Sequence, residues 1–213
     1  MLHKKFKNEV NDIGLLAGLY IYIKLFLREL ISHILWTPVF KMQAKLCNVS
    51  YGRNLKVWGL VRVHNRGQIL IGNDVRIRSG FNNYVGGSSR SAFWVSRGGS
   101  LIIGNNTGIS NTTIISYEEI MIGDNVFIGG GSKIYDTNFH EISASERINN
   151  SGNIASKSIS IGSGAFIGGH SIILKGSIVG INSVLAAGSV LSGKVPDNQI
   201  WGGNPSKFIK EIS

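Results

Sequence analysis

The stretch IGSGAFIGGHSIILKGSIVGINSVLAAGSVLSGKVP, residues 161–196, repeats a six-residue unit without a break. The first position of each unit is a branched aliphatic residue: Ile161, Ile167, Ile173, Val179, Leu185 and Leu191. The fifth position is small: Ala165, Ser171, Ser177, Ser183 and Ser189. A period of six fits neither an α-helix nor an isolated strand. It is typical of a solenoid in which each unit forms one side of a flat-sided coil.

The sequence therefore predicts an all-β solenoid, with the aliphatic and small residues pointing inward and Gly, Asn and Asp at the corners. The same unit recurs upstream with interruptions, as IGNDVR from Ile71, IGNNTG from Ile103 and IGDNVF from Ile122. We expect about seven coils from roughly Val57 to Val195. A β-sandwich is the alternative, but sandwiches do not keep a six-residue register.

The chain is expected to divide into three parts. Residues 1–50 form a helical segment, residues 51–196 form the solenoid with an inserted loop at 136–157, and residues 197–213 form a C-terminal tail. The single Cys47 excludes an intrachain disulfide and favours a reducing compartment.

The net charge of +10 is concentrated at the N-terminal end, where residues 1–56 hold nine basic and three acidic residues. No nucleic-acid motif accompanies this charge, so we expect no nucleic-acid partner. An anionic membrane surface or an anionic cofactor explains it better.

Residues 13–36, IGLLAGLYIYIKLFLRELISHILW, are apolar but interrupted by charge, and their uncharged run is too short to span a bilayer. Lys24, Arg28 and Ser32 recur every four residues and so share one face of a helix. The segment predicts either an amphipathic helix in a membrane interface, or a helix packed on the solenoid end or at a subunit contact. No signal-peptide cleavage site follows, and we expect a cytoplasmic protein, peripheral on the inner face of the membrane.

His140 is the leading candidate for chemistry. It lies in YDTNFH, residues 135–140, at the start of the polar insertion that breaks the repeat. Functional residues gather on loops held by a rigid scaffold, and histidine suits proton abstraction near neutral pH. Asp136 or Glu141 could orient its imidazole, although Asp136 could equally be a corner residue. Backbone N–H groups around Gly129 to Gly131, or at Gly168, are candidates for an oxyanion hole.

The stretch from about Gly67 to the C-terminus resembles the hexapeptide-repeat acyltransferases, and most of all the bacterial sugar and polysaccharide O-acetyltransferases. The resemblance rests on the repeat from Ile161, on YDTNFH and on the closing WGGNPSKFIKEI. It implies a left-handed parallel β-helix, a homotrimer with active sites between subunits, acetyl-CoA as acyl donor and a saccharide acceptor. It also places the catalytic histidine of the family at His140.

The resemblance further implies cofactor contacts by matching position. Gly169 and Ala187 correspond to positions along the pantetheine arm, and Lys207 and Lys210 to basic residues that face the nucleotide phosphates. Ser192 stands where the family often has Thr, but Gly193 replaces the family's usual Lys, with Lys194 one place later.

The remaining candidates are less specific. Trp201 could stack on the adenine or a sugar ring, or cap the solenoid. By resemblance, Asn111 and Tyr117 could contact the acceptor, and the atypical segment 81–98, with Trp94, could form a second loop that reaches towards it. His170 occupies a corner position and could line the cofactor groove.

The sequence predicts an acetyl-CoA-dependent O-acetyltransferase of surface-polysaccharide biosynthesis. The alternatives are an N-acetyltransferase acting on a nucleotide-linked amino sugar and a non-enzymatic β-helix binding module. A metal hydratase like the trimeric carbonic anhydrases would need three histidine ligands. His64, His140 and His170 do not match the ligand spacing of that family, so no metal is expected.

Overall fold

A computed structural model describes residues 14–81, 83, 87–149 and 151–212. Residues 1–13, which hold part of the predicted helical segment and the basic residues Lys4, Lys5 and Lys7, lie outside the described residues. Of the predicted acceptor loop, Asn82 and residues 84–86 also lie outside them.

Within the described residues, three helical elements precede the strands. Helix α1 runs over Leu15–Ile31, a π-helical turn follows at Ser32–Trp36, and α2 runs over Thr37–Leu46. The strands then follow coil by coil: β1 (Val49–Tyr51), β2 (Lys56–Trp58), β3 (Arg62–Asn65); β4 (Gln68–Ile71), β5 (Arg76–Arg78), β6 (Ala92–Val95); β7 (Ser100–Ile103), β8 (Gly108–Ser110), β9 (Thr113–Ser116); β10 (Glu119–Ile122), β11 (Phe127–Ile128), β12 (Lys133–Tyr135); β13 (Ile159–Ile161), β14 (Phe166–Ile167), β15 (Ile172–Leu174); β16 (Ile178–Val179), β17 (Val184–Leu185), β18 (Val190–Leu191); β19 (Lys194–Val195), β20 (Gln199–Gly202) and β21 (Lys207–Glu211).

The strands form three parallel sheets, as the repeat predicts. The first sheet stacks β1-β4-β7-β10-β13-β16-β19, the second β2-β5-β8-β11-β14-β17-β20, and the third β3-β6-β9-β12-β15-β18. Each of the first six coils gives one strand to each sheet, and the seventh adds β19 and β20, so the chain winds as a three-sided β-helix. The first coil begins at Val49, earlier than the expected Val57.

Equivalent aliphatic residues stack in register from coil to coil. One buried column of the first sheet runs Ile71, Ile103, Ile122, Ile161, Val179 and Val195. The small fifth-position residues are also fully buried, and the Ser171 hydroxyl donates to the Ala186 carbonyl at 3.0 Å. Burial of each aliphatic side chain contributes about 1.5–3 kcal/mol, which one coil could not gain alone.

The corner between the first and second sheets shows why Asn and Asp recur there. Asn54, Asp74, Asn106, Asn125, Asn182 and Asn198 have φ between 55° and 59°, a left-handed conformation that Asn and Asp tolerate. Nearby side chains link successive coils. The Asn105 carboxamide oxygen, for example, accepts from Asn73 N, and Asp124 Oδ1 accepts from Asn105 N.

Helix α2 caps the N-terminal end of the β-helix. Phe40 and Ala44 are buried in the same core as the first coil. The hydroxyls of Ser32 and Thr37 bond to the backbone of Val57, with Ser32 Oγ donating to Val57 O at 2.6 Å. Helix α1 has a different environment, because only Gly18 of its residues is buried. None of the helices in the described part has the length and apolar character needed to cross a bilayer.

At the other end, β21 turns back and pairs antiparallel with β20. The turn between them bonds to the last strand of the third sheet, since Val190 N donates to Gly203 O and Ser206 N donates to Val190 O, both at 2.9 Å. The first part of the predicted tail therefore completes the second sheet, and the rest folds over the final coil.

Candidate active site

His140 lies at the base of a loop that leaves the corner between the third and first sheets, after β12. The loop begins as a narrow two-stranded neck. Lys157 N donates to Asp136 O at 2.8 Å, Asn138 N donates to Ala155 O at 3.1 Å, and Thr137 forms an isolated bridge with Ser156. Helix α3 (Ala144–Asn149) lies further out. The His140 side chain is exposed to solvent and so is accessible to a substrate.

The backbone next to His140 is held in an unusual conformation. Phe139 has a φ of 65°, in the left-handed region that bulky residues rarely adopt. Its ring packs edge-on against Tyr135, with centroids 5.1 Å apart, and against Tyr117, with centroids 6.5 Å apart. Burial raises the pKa of the Tyr135 phenol, so this contact stays uncharged. The aromatic contacts fix Phe139 and thereby the position from which His140 projects.

Asp136 has the second of its two expected roles, that of a corner residue. The side chain is fully buried. Its carboxylate accepts three hydrogen bonds from the preceding coil: from Tyr117 N at 2.7 Å, Ser116 Oγ at 2.8 Å and Glu118 N at 2.9 Å. These donors occupy the carboxylate, so the structure does not support Asp136 as the orienting partner of His140.

Glu141 does not orient the imidazole either in the described chain. Its side chain packs against Gly152, where an added Cβ would lie 2.9 Å from Glu141 Cγ. The buried Oε1 atom has no hydrogen-bond partner among the described residues. The carboxylate is thus turned into the loop.

The corner between the second and third sheets carries the expected pantetheine positions. Gly169 precedes β15 and Ala187 precedes β18, one coil apart. Neither backbone N–H finds an acceptor within the described chain, so both can donate to a ligand. The side chain of Ala187 is exposed, as a groove residue should be.

Most of the expected oxyanion donors are already used. The N–H groups of Gly129, Gly131 and Gly168 donate to Ile167 O, Asn111 O and Leu185 O within the coils. Gly129 and Gly168 are needed for packing, because an added Cβ would lie 2.4 Å from the backbone N of Gly169 and Ala187 respectively. These three glycines are therefore structural, which corrects the expectation for them.

His170 stands at the same corner, as its place in the repeat predicts. It is exposed and has a φ of 60°. Its ring lies over Gly131, where an added Cβ would be 2.5 Å from Nδ1. His64 lies elsewhere, stacked on Trp94 with centroids 5.5 Å apart, so the three solenoid histidines occupy three different places.

The C-terminal candidates lie at the last coil. Lys207 and Lys210 are exposed on β21, and Ser192 is exposed after β18. Trp201 is half-buried against the core, donates from Nε1 to Gln199 Oε1 at 2.8 Å, and contacts Phe208 edge-on. Its contacts are those of an end cap.

The two acceptor candidates are separated. Asn111 is buried at the corner between the second and third sheets, where its carboxamide binds the 79–91 loop by accepting from Gly80 N and donating to Gly87 O. Because these hydrogen bonds hold the carboxamide inside the protein, Asn111 does not have the expected role in substrate binding. Tyr117 lies at the other corner, between the Trp94 and Phe139 rings. Trp94 itself belongs to strand β6 rather than to a loop.

His140 and the pantetheine positions thus lie at opposite ends of the strands of the third sheet, at two different corners of the β-helix. His140 follows β12, whereas Gly169 and Ala187 precede β15 and β18 of the same sheet. One chain does not bring the base and the exposed N–H groups to one place.

Comparisons with known proteins bear on this arrangement. The galactoside O-acetyltransferase of Escherichia coli is 35% identical over 121 residues, which is 56% of this chain and 58% of that protein. A hexapeptide-repeat acetyltransferase of Vibrio cholerae, solved with acetyl coenzyme A, is 30% identical with a TM-score of 0.51, over 57% of this chain and 65% of that one. The chain spans about three fifths of the length of the curated relatives it matches. No family profile matches it.

A third comparison extends over more of the chain. An N-acyltransferase of Bacillus cereus, solved with dTDP and coenzyme A, has a TM-score of 0.63 at 22% identity, over 81% of this chain and 89% of that one. At that identity it speaks for the fold alone. By sequence and by fold, this left-handed parallel β-helix is similar to the hexapeptide-repeat acetyltransferases.

Proposed function

We propose that the protein is an acetyl-CoA-dependent O-acetyltransferase that modifies a sugar hydroxyl during surface-polysaccharide biosynthesis. The observation that carries the proposal is the exposed His140, fixed by the aromatic contacts of Phe139 on a scaffold shared with acetyltransferases. The N–H groups of Gly169 and Ala187 are the supporting feature for coenzyme binding, and Lys207 and Lys210 supply positive charge for its phosphates.

The reaction requires one base. The His140 imidazole takes the proton of the sugar hydroxyl as that oxygen attacks the thioester carbonyl. The C–S bond then breaks, and the imidazolium returns the proton to the sulfur of the leaving coenzyme. The products are an acetyl ester and free coenzyme A.

We further propose a homotrimer with its active sites between subunits. The separation of His140 from Gly169 and Ala187 supports this, because a neighbouring copy could place its corner beside the loop of the first. In this proposal, a single chain supplies either the base or the coenzyme contacts of a given site, and its neighbour supplies the other.

A peripheral contact with the inner face of the cytoplasmic membrane completes the proposal. Helix α1 exposes a run of apolar side chains: Leu15, Leu16, Leu19, Tyr20, Ile23, Phe26, Leu27, Leu30 and Ile31. Such a surface, with basic residues near it, suits an interfacial helix at an anionic membrane.

The decisive test compares His140→Ala with His170→Asn, in which Asn keeps the left-handed corner conformation. The assay measures release of the coenzyme A thiol from acetyl-CoA in the presence of the host's surface glycan. We expect His140→Ala to lower kcat by roughly 10²-fold or more, as loss of a general base does, and His170→Asn to change it far less. Full activity in His140→Ala would refute the assignment.

The same assay separates the alternative chemistries. Acetyl esters are cleaved by mild alkali and amides are not, so the lability of the product distinguishes a hydroxyl acceptor from an amino sugar. Binding of glycan without turnover would instead indicate a binding module.

A further inference from the structure

Three buried hydrogen-bond donors without acceptors lie together where α1 meets the first two coils. They are Arg28 Nε, Trp58 Nε1 and Asn83 Nδ2, and none has a partner among the described residues. All three side chains, with Arg78 and Ser79, line one cavity of about 10 Å³. That volume holds about one water-sized atom. Three donors around space for one acceptor atom are the complement of a single anionic oxygen.

Among the described residues, the charge at this cavity is only weakly balanced. The acid that these residues bring to Arg28 is Glu29, at 4.0 Å, and Glu29 also faces Lys56 at the same distance. The Arg78 guanidinium lies over the Trp58 ring, 5.3 Å from its centroid. Burial, and then repulsion by Arg28, lower the pKa of Arg78. The buried, unpaired Nε–H of Arg28 lies near the more exposed guanidinium of Arg78, and an anion between them would offset the cost of both.

An apolar groove continues from the cavity. It has a volume of about 670 Å³ and lies between α1 and the first coil. Arg28 and Trp58 line both spaces, and the groove adds apolar side chains that include Ile23, Leu27 and Phe81. A donor-lined space for one oxygen atom at the end of an apolar groove fits an amphiphile better than a free ion.

We propose that this cleft binds one membrane phospholipid. A phosphate oxygen enters the cavity to accept from Arg28, Trp58 and Asn83, Arg78 neutralises its charge, and an acyl chain lies in the groove. Arginine suits phosphate by charge and by its several donors. The inference deepens the membrane contact proposed above and rests on it for the source of the lipid, but it is independent of the acetyl-transfer chemistry.

The first experiment uses a soluble probe, so that the bilayer plays no part. Binding of monomeric dihexanoyl phosphatidylglycerol to the full-length protein is measured by calorimetry, beside inorganic phosphate. We expect the lipid to bind and Arg78→Gln to weaken its binding about tenfold or more, because the phosphate loses the positive charge that neutralises it in a partly desolvated site. Arg76→Gln is the matched control, because Arg76 has the same charge on the same strand but does not line the cavity. It should change affinity less than about twofold.

A second variant guards against misfolding. Trp58→Phe keeps an aromatic ring at this buried position but removes the Nε1–H donor and some volume, so thermal unfolding is measured beside binding. If the variant is folded, it should weaken lipid binding by several-fold. Equal losses in Arg78→Gln and Arg76→Gln would overturn the site in favour of general electrostatics. Inorganic phosphate binding as tightly as the lipid would overturn the role of the groove.

A flotation assay then tests the bilayer itself. Vesicles of phosphatidylcholine, with and without phosphatidylglycerol, should retain the wild type only when the anionic lipid is present, and should retain Arg78→Gln less than Arg76→Gln. Equal retention of both variants contradicts the inference. Acetyl transfer is assayed separately, so failure of the proposed chemistry leaves this result readable.

Discussion

Phe139 shows how one residue can prepare another for chemistry. A left-handed φ at a bulky residue costs about 1–3 kcal/mol, and the contacts with Tyr117 and Tyr135 offset it. Phe139 touches no reacting atom in this account, so we regard it as a positioning residue for His140.

We expect Phe139→Ala to lower kcat about tenfold while the KM for acetyl-CoA stays near that of the wild type, because the loop base loses its anchor. Steady-state kinetics of the acetyl-transfer reaction measure both quantities. Phe139→Tyr keeps the ring and should restore kcat. A change confined to thermal stability, with unaltered kcat, would show that the contact is only structural.

Asp136 supports a stability prediction. In Asp136→Asn, the amide nitrogen that replaces one carboxylate oxygen cannot accept a hydrogen bond. Buried donors of the 116–118 corner are then left unpaired, so unfolding should be easier by about 1–3 kcal/mol.

Asp124→Asn provides the control, because the contacts of Asp124 with Asn105 use Oδ1 alone, which the amide keeps. Denaturant unfolding compares the two variants. Equal stability of Asp136→Asn and Asp124→Asn would show that the three bonds to the Asp136 carboxylate contribute little.

The burial of some residues could be predicted from the sequence because their surroundings are set by the repeat itself. Ala165 and Ser171 had to be small wherever they stood in the stack, and both are buried. Asp136 and Asn111 were harder, because their partners lie one coil away or across an inserted loop. The conformation of Phe139 could not be predicted, because no feature of the sequence marks a left-handed backbone at this position.

Helix α1 turns part of its polar face towards the protein and many of its apolar side chains outward. A helix of a water-soluble domain would be expected to have the opposite orientation. The Lys24–Arg28–Ser32 stripe was expected to share one face, and Ser32 and Arg28 of that face turn towards the first coil. Apolar side chains such as Leu16 point outward. The periodicity was visible in the sequence, but which face meets the protein depends on tertiary packing.

We expect Leu16→Glu to reduce flotation with anionic vesicles strongly, because a charge would enter the lipid-facing surface. Leu16 is 83% exposed, so the substitution should leave the melting temperature near that of the wild type. Arg53→Gln, on a turn of the first coil, is the control, because it changes the net charge by the same amount. If Leu16→Glu instead lowers the oligomer mass in ultracentrifugation, the face is a subunit contact.

At the scale of the whole molecule, the site that we propose is divided between two corners and would make subunit assembly part of catalysis. The repeat predicted the corners. Its period could not show that His140 and Ala187 lie at opposite ends of the strands of one sheet. That follows only from where the 136–158 loop leaves the stack.

Complementation tests this division. His140→Ala lacks the base, and Ala187→Arg should block the groove, so each variant alone should be inactive. Refolded together in equal amounts, they should regain about a quarter of the wild-type sites, because a site then needs an intact loop from one copy and an intact corner from the next. No recovery, despite a sedimentation mass of three chains, would place the whole site in one chain.

The pairing of β21 back onto β20 affects whether the stack of coils can extend into a neighbouring molecule. A parallel β-helix that ends on bare strands offers the same unpaired backbone groups that would accept another coil, including one from a neighbouring molecule. Here β21 occupies the edge of β20, and the turn before it bonds to Val190. With α2 over the opposite end, each end of the described stack carries a covering element, which opposes end-to-end polymerisation into a fibre.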